Sequence, residues 1–106
     1  MTIAFRPLAE VKMMLEETGN DVSYAYDDLV FVEHTAFLIQ FDDEKPENLK
    51  LYFNTDINEE EHAPIEQNLI PAAKKRKLNL LNSGYFSLKQ KEDSEELQIL
   101  FFPNKN

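Results

Sequence analysis

Leu29-Val30-Phe31-Val32-Glu33-His34-Thr35-Ala36-Phe37-Leu38-Ile39-Gln40-Phe41 carries two runs of β-branched and aromatic residues separated by the polar triplet Glu33-His34-Thr35. Such runs suit a pleated, half-buried surface, and so short a polar break makes hairpin pairing the natural outcome. Strands are therefore expected over 29–32 and 36–41. The preceding segment, Val22–Tyr26, has the same character, with Asp27-Asp28 as the turn. Beyond the hairpin, Asp42-Asp43-Glu44-Lys45-Pro46-Glu47-Asn48 reads as a charged loop. Leu49, Leu51 and Phe53 then alternate with Lys50, Tyr52 and Asn54, the period-two rhythm of a strand with one covered face.

Helices are expected on both sides of this block. Leu8, Val11, Met14, Leu15 and Thr18 recur at spacings of three and four, with Glu10, Lys12, Glu16 and Glu17 opposite them. Pro7 suits the first turn and Gly19 the stop. Over 56–77 the apolar stripe is Ile65, Leu69, Ile70 and Ala73, with Glu59, Glu60 and Glu61 early and Lys74, Lys75, Arg76 and Lys77 late, as the helix dipole favours. Pro64 and Pro71 interrupt that pattern, so a late start, a kink or two short helices is expected. The remainder reads as a closing hairpin: a turn at Gly84, a strand over 85–90, a polar turn through Lys91-Glu92-Asp93-Ser94-Glu95, and a strand over 97–102. The expected fold is α+β, a single domain over 1–106 with an antiparallel β-sheet of about five to six strands, an N-terminal helix and a central, proline-interrupted helix.

The 106 residues include 42 % hydrophobic side chains, enough for one core and too many for an acidic disordered tail. Against 11 Lys+Arg stand 20 Asp+Glu, a formal charge of -9. That field disfavours direct contact with nucleic-acid phosphate, whose affinity for proteins comes largely from basic groups. The absence of cysteine excludes disulfides, thiol catalysis and thiolate metal sites. No basic region followed by an apolar run occurs over 1–10, and no stretch approaches the roughly 20 apolar residues of a membrane span, so a cytoplasmic protein with no membrane partner is expected.

Candidate chemistry is sparse. Glu59 and His62 stand three apart, as carboxylate and imidazole do on a helix of a di-iron bundle, but two helical regions cannot supply the further carboxylates such a centre needs. An acidic helix start in water is the expected reading. Glu33-His34 reads as an exposed pair at a hairpin tip. Asp42, Asp43, Glu44 and Glu47 lack the ligand alternation and turn glycine of a calcium loop. Lys74 to Lys77 point around a helix end and form no single basic face. With glycine only at 19 and 84, no phosphate-binding glycine loop is possible, and neither Gly-x-Ser-x-Gly nor His-Glu-x-x-His occurs. No catalytic residue, cofactor or metal is therefore assigned.

The order helix, strands, helix, closing strands resembles the YbjN-like family and, beyond it, the class I type III secretion chaperones. The resemblance is carried by Leu15-Glu16-Glu17 leading into Val22-Ser23-Tyr24, by the stretch from Phe37-Leu38-Ile39-Gln40-Phe41 through Asn48-Leu49-Lys50-Leu51, and by Leu78-Asn79 before Gly84-Tyr85-Phe86-Ser87-Leu88. It covers about 7–102 and is a hydrophobic pattern without a catalytic signature. The chain departs from it in lacking a final helix and in having Pro71 within the second. The resemblance implies a non-enzymatic protein, often dimeric, that holds a partner polypeptide.

A cytoplasmic protein-binding or chaperone-like module follows as the leading expectation, with a possible homodimer. Met13, outside the apolar stripe, and Leu100 and Phe102, on the face of the last strand opposite Leu97, Ile99 and Phe101, are the candidate contacts. The alternative is an acidic inhibitor or immunity protein neutralising a basic toxin or nuclease through Asp27, Asp28, Glu33, Asp42, Asp43 and Glu44. A hydrolase or metal enzyme would instead require a deep pocket or bound metal at His34 or His62.

Overall fold

Alternation in the strands and a three-four stripe in the helices produce a sheet with both helices on one side. The structure is a computed structural model that describes residues 7–26, 28–90 and 97–103. Helix α1 (Leu8–Glu17) precedes strands β1 (Val22–Tyr26), β2 (Leu29–Val32), β3 (Phe37–Phe41) and β4 (Asn48–Asn54). A 3-10 turn (Glu59–Glu61) runs into helix α2 (His62–Lys75), followed by β5 (Asn79–Gln90) and β6 (Leu97–Pro103). The α+β class, the six strands and both helices agree with the sequence-based expectation. Asp27 and the turn residues 91–95 lie outside the described residues.

The six strands lie in sequence order, β1-β2-β3-β4-β5-β6. All neighbours pair antiparallel except one: β4 and β5 are parallel, Leu49 opposite Leu80 and Phe53 opposite Tyr85. An all-antiparallel sheet was expected, and the difference has a simple cause. The 3-10 turn and α2 travel back along the sheet, so β5 starts at the same end as β4, as a long crossover requires. β5 accordingly begins at Asn79, six residues before the strand expected at 85. Gly84 is no turn but a buried residue at an in-strand bulge, where the register slips between Leu51/Asn82 and Tyr52/Gly84. Its φ of 134° suits glycine, and its N–H donates to Asn82 Oδ1 at 3.1 Å.

Val11, Met14 and Leu15 of α1 and Leu69 and Ala73 of α2 bury against Val30, Val32, Phe37, Ile39, Leu51 and Phe53 of the sheet. On the opposite face Leu29, Phe31, Leu38 and Phe86 form a second buried cluster. It is built from aromatic contacts: Tyr24 stacks on Phe31 at 4.6 Å, and Phe31 meets Phe86 edge-on at 6.1 Å. The short run Leu29–Val32 is buried throughout because it serves both clusters. Ile70, expected in the α2 stripe, is 39 % exposed instead. Pro64 falls in the first turn of α2, where it costs no hydrogen bond, and the helix runs unbroken past Pro71. The late start was anticipated; a division into two helices does not occur.

Both helices end in the same hydrogen-bond pattern with different residues. At α1, Gly19 N–H donates to Glu16 O and Asn20 N–H to Leu15 O; at α2, Lys77 N–H donates to Lys74 O and Leu78 N–H to Ala73 O. Gly19 takes φ 80° freely, whereas Lys77 is held at φ 62°, a left-handed conformation that strains any side chain with a Cβ. Lys77→Gly is expected to raise unfolding free energy by about 1 kcal/mol, measured by urea denaturation.

The ends of the helices are also joined by charge. Arg76 donates to Glu10 Oε2 at 2.7 Å and to Glu17 Oε1, so one guanidinium ties α2 to two carboxylates of α1. The hydrogen bond from Arg76 holds the Glu17 carboxyl below its ordinary value of 4.5 and raises Arg76 in return. A depressed carboxylate stabilises the fold above its unfolded pKa and loses that contribution as pH falls through the folded value. Arg76→Met is therefore expected to leave a shallower fall in stability on acidification below about pH 4.5. Urea melts of both proteins at neutral and acid pH measure it, and the difference is small because the carboxylates are exposed to solvent.

Candidate binding site at the sheet edge

β6 is one of the two edge strands, β1 being the other, and its sequence Leu97-Gln98-Ile99-Leu100-Phe101-Phe102-Pro103 contains no charged residue. Sheet edges are usually guarded by charge or by a bulge, because unpaired backbone groups invite another strand. Here the regular pairing with β5 runs from Gly84/Pro103 to Gln90/Leu97, with neither charge nor bulge, and the proline that also blunts edges stands only at the last position, Pro103. Side chains alternate across the sheet: Ile99 packs beside the open-face cluster and Phe101 contacts Tyr52 at 4.7 Å. Leu100 and Phe102 point to the helix side. Phe101 and Phe102 are 41 % and 42 % exposed, so the edge is apolar and accessible on both faces.

Phe102 also forms one wall of a recess of about 360 Å³ between β6 and the start of α2. The other walls are Asn54 and Thr55 at the end of β4, Ile57, Glu59, His62 and Tyr85. The parallel ladder creates it: Phe53 opposite Tyr85 brings the end of β4 beside β5, and the 3-10 turn then lifts the chain over that junction. Asn54 braces the floor. Its buried amide donates to Thr35 O at 2.8 Å and accepts from Asp56 N–H at 2.8 Å.

His62 departs from the expectation of an acidic helix start in water. Its ring is part-buried, stacks on Phe53 at 4.0 Å and lies 5.7 Å from Tyr85, while Nε2 is buried with no hydrogen-bond partner. An unpaired buried nitrogen costs about 1–3 kcal/mol. No group of three or more His, Asp or Glu residues suited to a metal occurs among the described residues, so His62 is not part of a ligand cluster.

The remaining candidates do not converge on this site. Met13 is exposed on α1, which packs over the β1 side of the sheet, far from Leu100 and Phe102. The acidic residues of the alternative reading divide between two ends of the β2–β3 hairpin. Asp28, which accepts from Gln40 Nε2 at 3.0 Å, lies with Asp42, Asp43 and Glu44 at one end, and Glu33 at the other. Two of them serve the backbone: Asp42 Oδ1 accepts from the N–H groups of Glu44 and Lys45, and Glu33 accepts from Asp21 N–H. The single acidic face expected across these residues is therefore not formed. His34 sits exposed at φ 65° in the turn. Within the basic run, Arg76 is committed to α1. A second hollow, between α1 and α2, is lined by Glu17, Thr18 and Arg76 and belongs to that interhelical tie.

Leu100 and Phe102 were marked by their alternation alone. Tyr85 was not, and His62 was marked only as half of a Glu59/His62 pair, because the proximity of His62 and Tyr85 depends on the parallel register. No family model, curated protein or solved structure matches the chain. No helix among the described residues is long and apolar enough to cross a membrane.

His62→Phe keeps the stack on Phe53 and removes the unpartnered nitrogen. It is expected to stabilise the fold by about 1 kcal/mol, read as a higher urea midpoint at unchanged slope.

Proposed function

We propose that the protein is a non-catalytic polypeptide-binding module that accepts an extended segment of a partner along the free edge of β6. The observation that carries this reading is a seven-residue edge strand without charge, apolar on both faces. Strand addition supplies affinity through backbone hydrogen bonds and selectivity through alternate side chains. Leu100 and Phe102 contact the segment on the helix side and Phe101 on the open side. A chaperone-like role fits the same surface, since main-chain pairing is tolerant of sequence. The inhibitor reading draws less support, because its carboxylates are divided and partly engaged with backbone.

The test is to capture a partner with tagged protein, purify it, and compare its affinity for two variants. Leu100→Lys/Phe102→Lys places charge on the edge and is expected to weaken binding by more than about tenfold. Asp43→Asn/Glu44→Gln is expected to leave it unchanged. The opposite pattern, or no partner at all, overturns the edge reading.

A further inference from the structure

We infer that the recess beside β6 is an arginine pocket: it takes the guanidinium-bearing side chain of the extended segment docked on that edge, an inference that rests on the reading above. The apolar part of the wall is mostly aromatic, with Ile57 beside it. Tyr85 and Phe102 present ring surface, and His62 completes the lining. Glu59 is exposed at the rim, and no lysine or arginine among the described residues lines the recess. A planar cation that stacks on rings while donating to a carboxylate answers both features at once.

Other occupants answer fewer of them. An anion meets Glu59 and the formal charge of -9. A purely apolar side chain leaves the exposed Glu59 carboxylate without a cationic partner. Lysine supplies charge but a compact, strongly hydrated ammonium without a flat face. The volume, about 360 Å³, is at the small end of ligand clefts and suits one long side chain better than an independent metabolite.

The experiment uses the intact protein and two capped hexapeptides of alternating threonine and valine, one with a central arginine and one with citrulline in its place. Citrulline keeps the shape and removes the charge. Fluorescence anisotropy is expected to show the arginine peptide binding about tenfold more tightly. Glu59→Gln is expected to abolish most of that difference while leaving the citrulline peptide's affinity unchanged. Glu59 and Phe102 are exposed, so their substitution leaves the core intact. Equal affinity for the two peptides overturns the pocket and leaves the edge reading standing. A preference for arginine that persists in both Glu59→Gln and Phe102→Ala also overturns the pocket. Failure of both peptides to bind overturns both readings.

Discussion

Parallel strands cannot be joined by a tight turn, so the ladder between β4 and β5 obliges residues 55–78 to cross back along the sheet before β5 begins. Most of what distinguishes the molecule follows from that pairing. It sets α2 on the same face as α1, so that one core serves both helices. Phe53 lies beside Tyr85 and beneath His62, and the end of β4 meets the start of α2 around a recess. Because β6 pairs only with β5, a strand without charged residues is left at that edge. Hydrophobic burial drives the assembly, but the direction of a single strand decides which surface remains exposed.

The elements were legible wherever local pattern and final environment agree. Alternation at Leu49, Leu51 and Phe53 reports the helix-covered face directly, and the stripe Val11, Met14 and Leu15 reports the buried side of α1. Strand direction is not a local property, so the parallel ladder with β4 and the first residues of β5 were not legible, whereas the antiparallel pairing of β5 with β6 was. The glycine signal was real but had another cause, a bulge that needs positive φ. Ile70 misled because the α2 stripe is narrower than its sequence suggests. The site was half legible for the same reason: Leu100 and Phe102 have no use for both faces of a strand unless something covers them, whereas His62 acquires meaning only once Phe53 lies under its ring.

Charge plays two separate parts. Arg76, drawn from a basic run that resembles a nucleic-acid patch in sequence, closes the helical layer on Glu10 and Glu17. Elsewhere carboxylates accept from backbone, as Asp42 and Glu33 do, or from side-chain amides, as Asp28 and Glu66 do. Two departures from the most stable choice lie around α2, besides the left-handed Glu33 and His34 of the β2–β3 turn: Lys77 occupies a glycine position, and His62 buries a nitrogen without a partner. The first has no evident use in the structure, while the second lies in the proposed pocket, where local cost is expected to accompany function.

Strand order has a further consequence for how the chain reaches this state. Pairings from β1 to β4 join strands that are neighbours in sequence, and β5 with β6 does the same. Such contacts close small loops and form early, whereas the parallel ladder closes only after the whole crossover is in place. The two antiparallel blocks are therefore the natural kinetic units, and their docking through α2 is the late, entropically expensive event. During that interval β5 as well as β6 presents an open edge, so the surplus negative charge repels neighbouring chains at the stage when aggregation is the main competitor to folding.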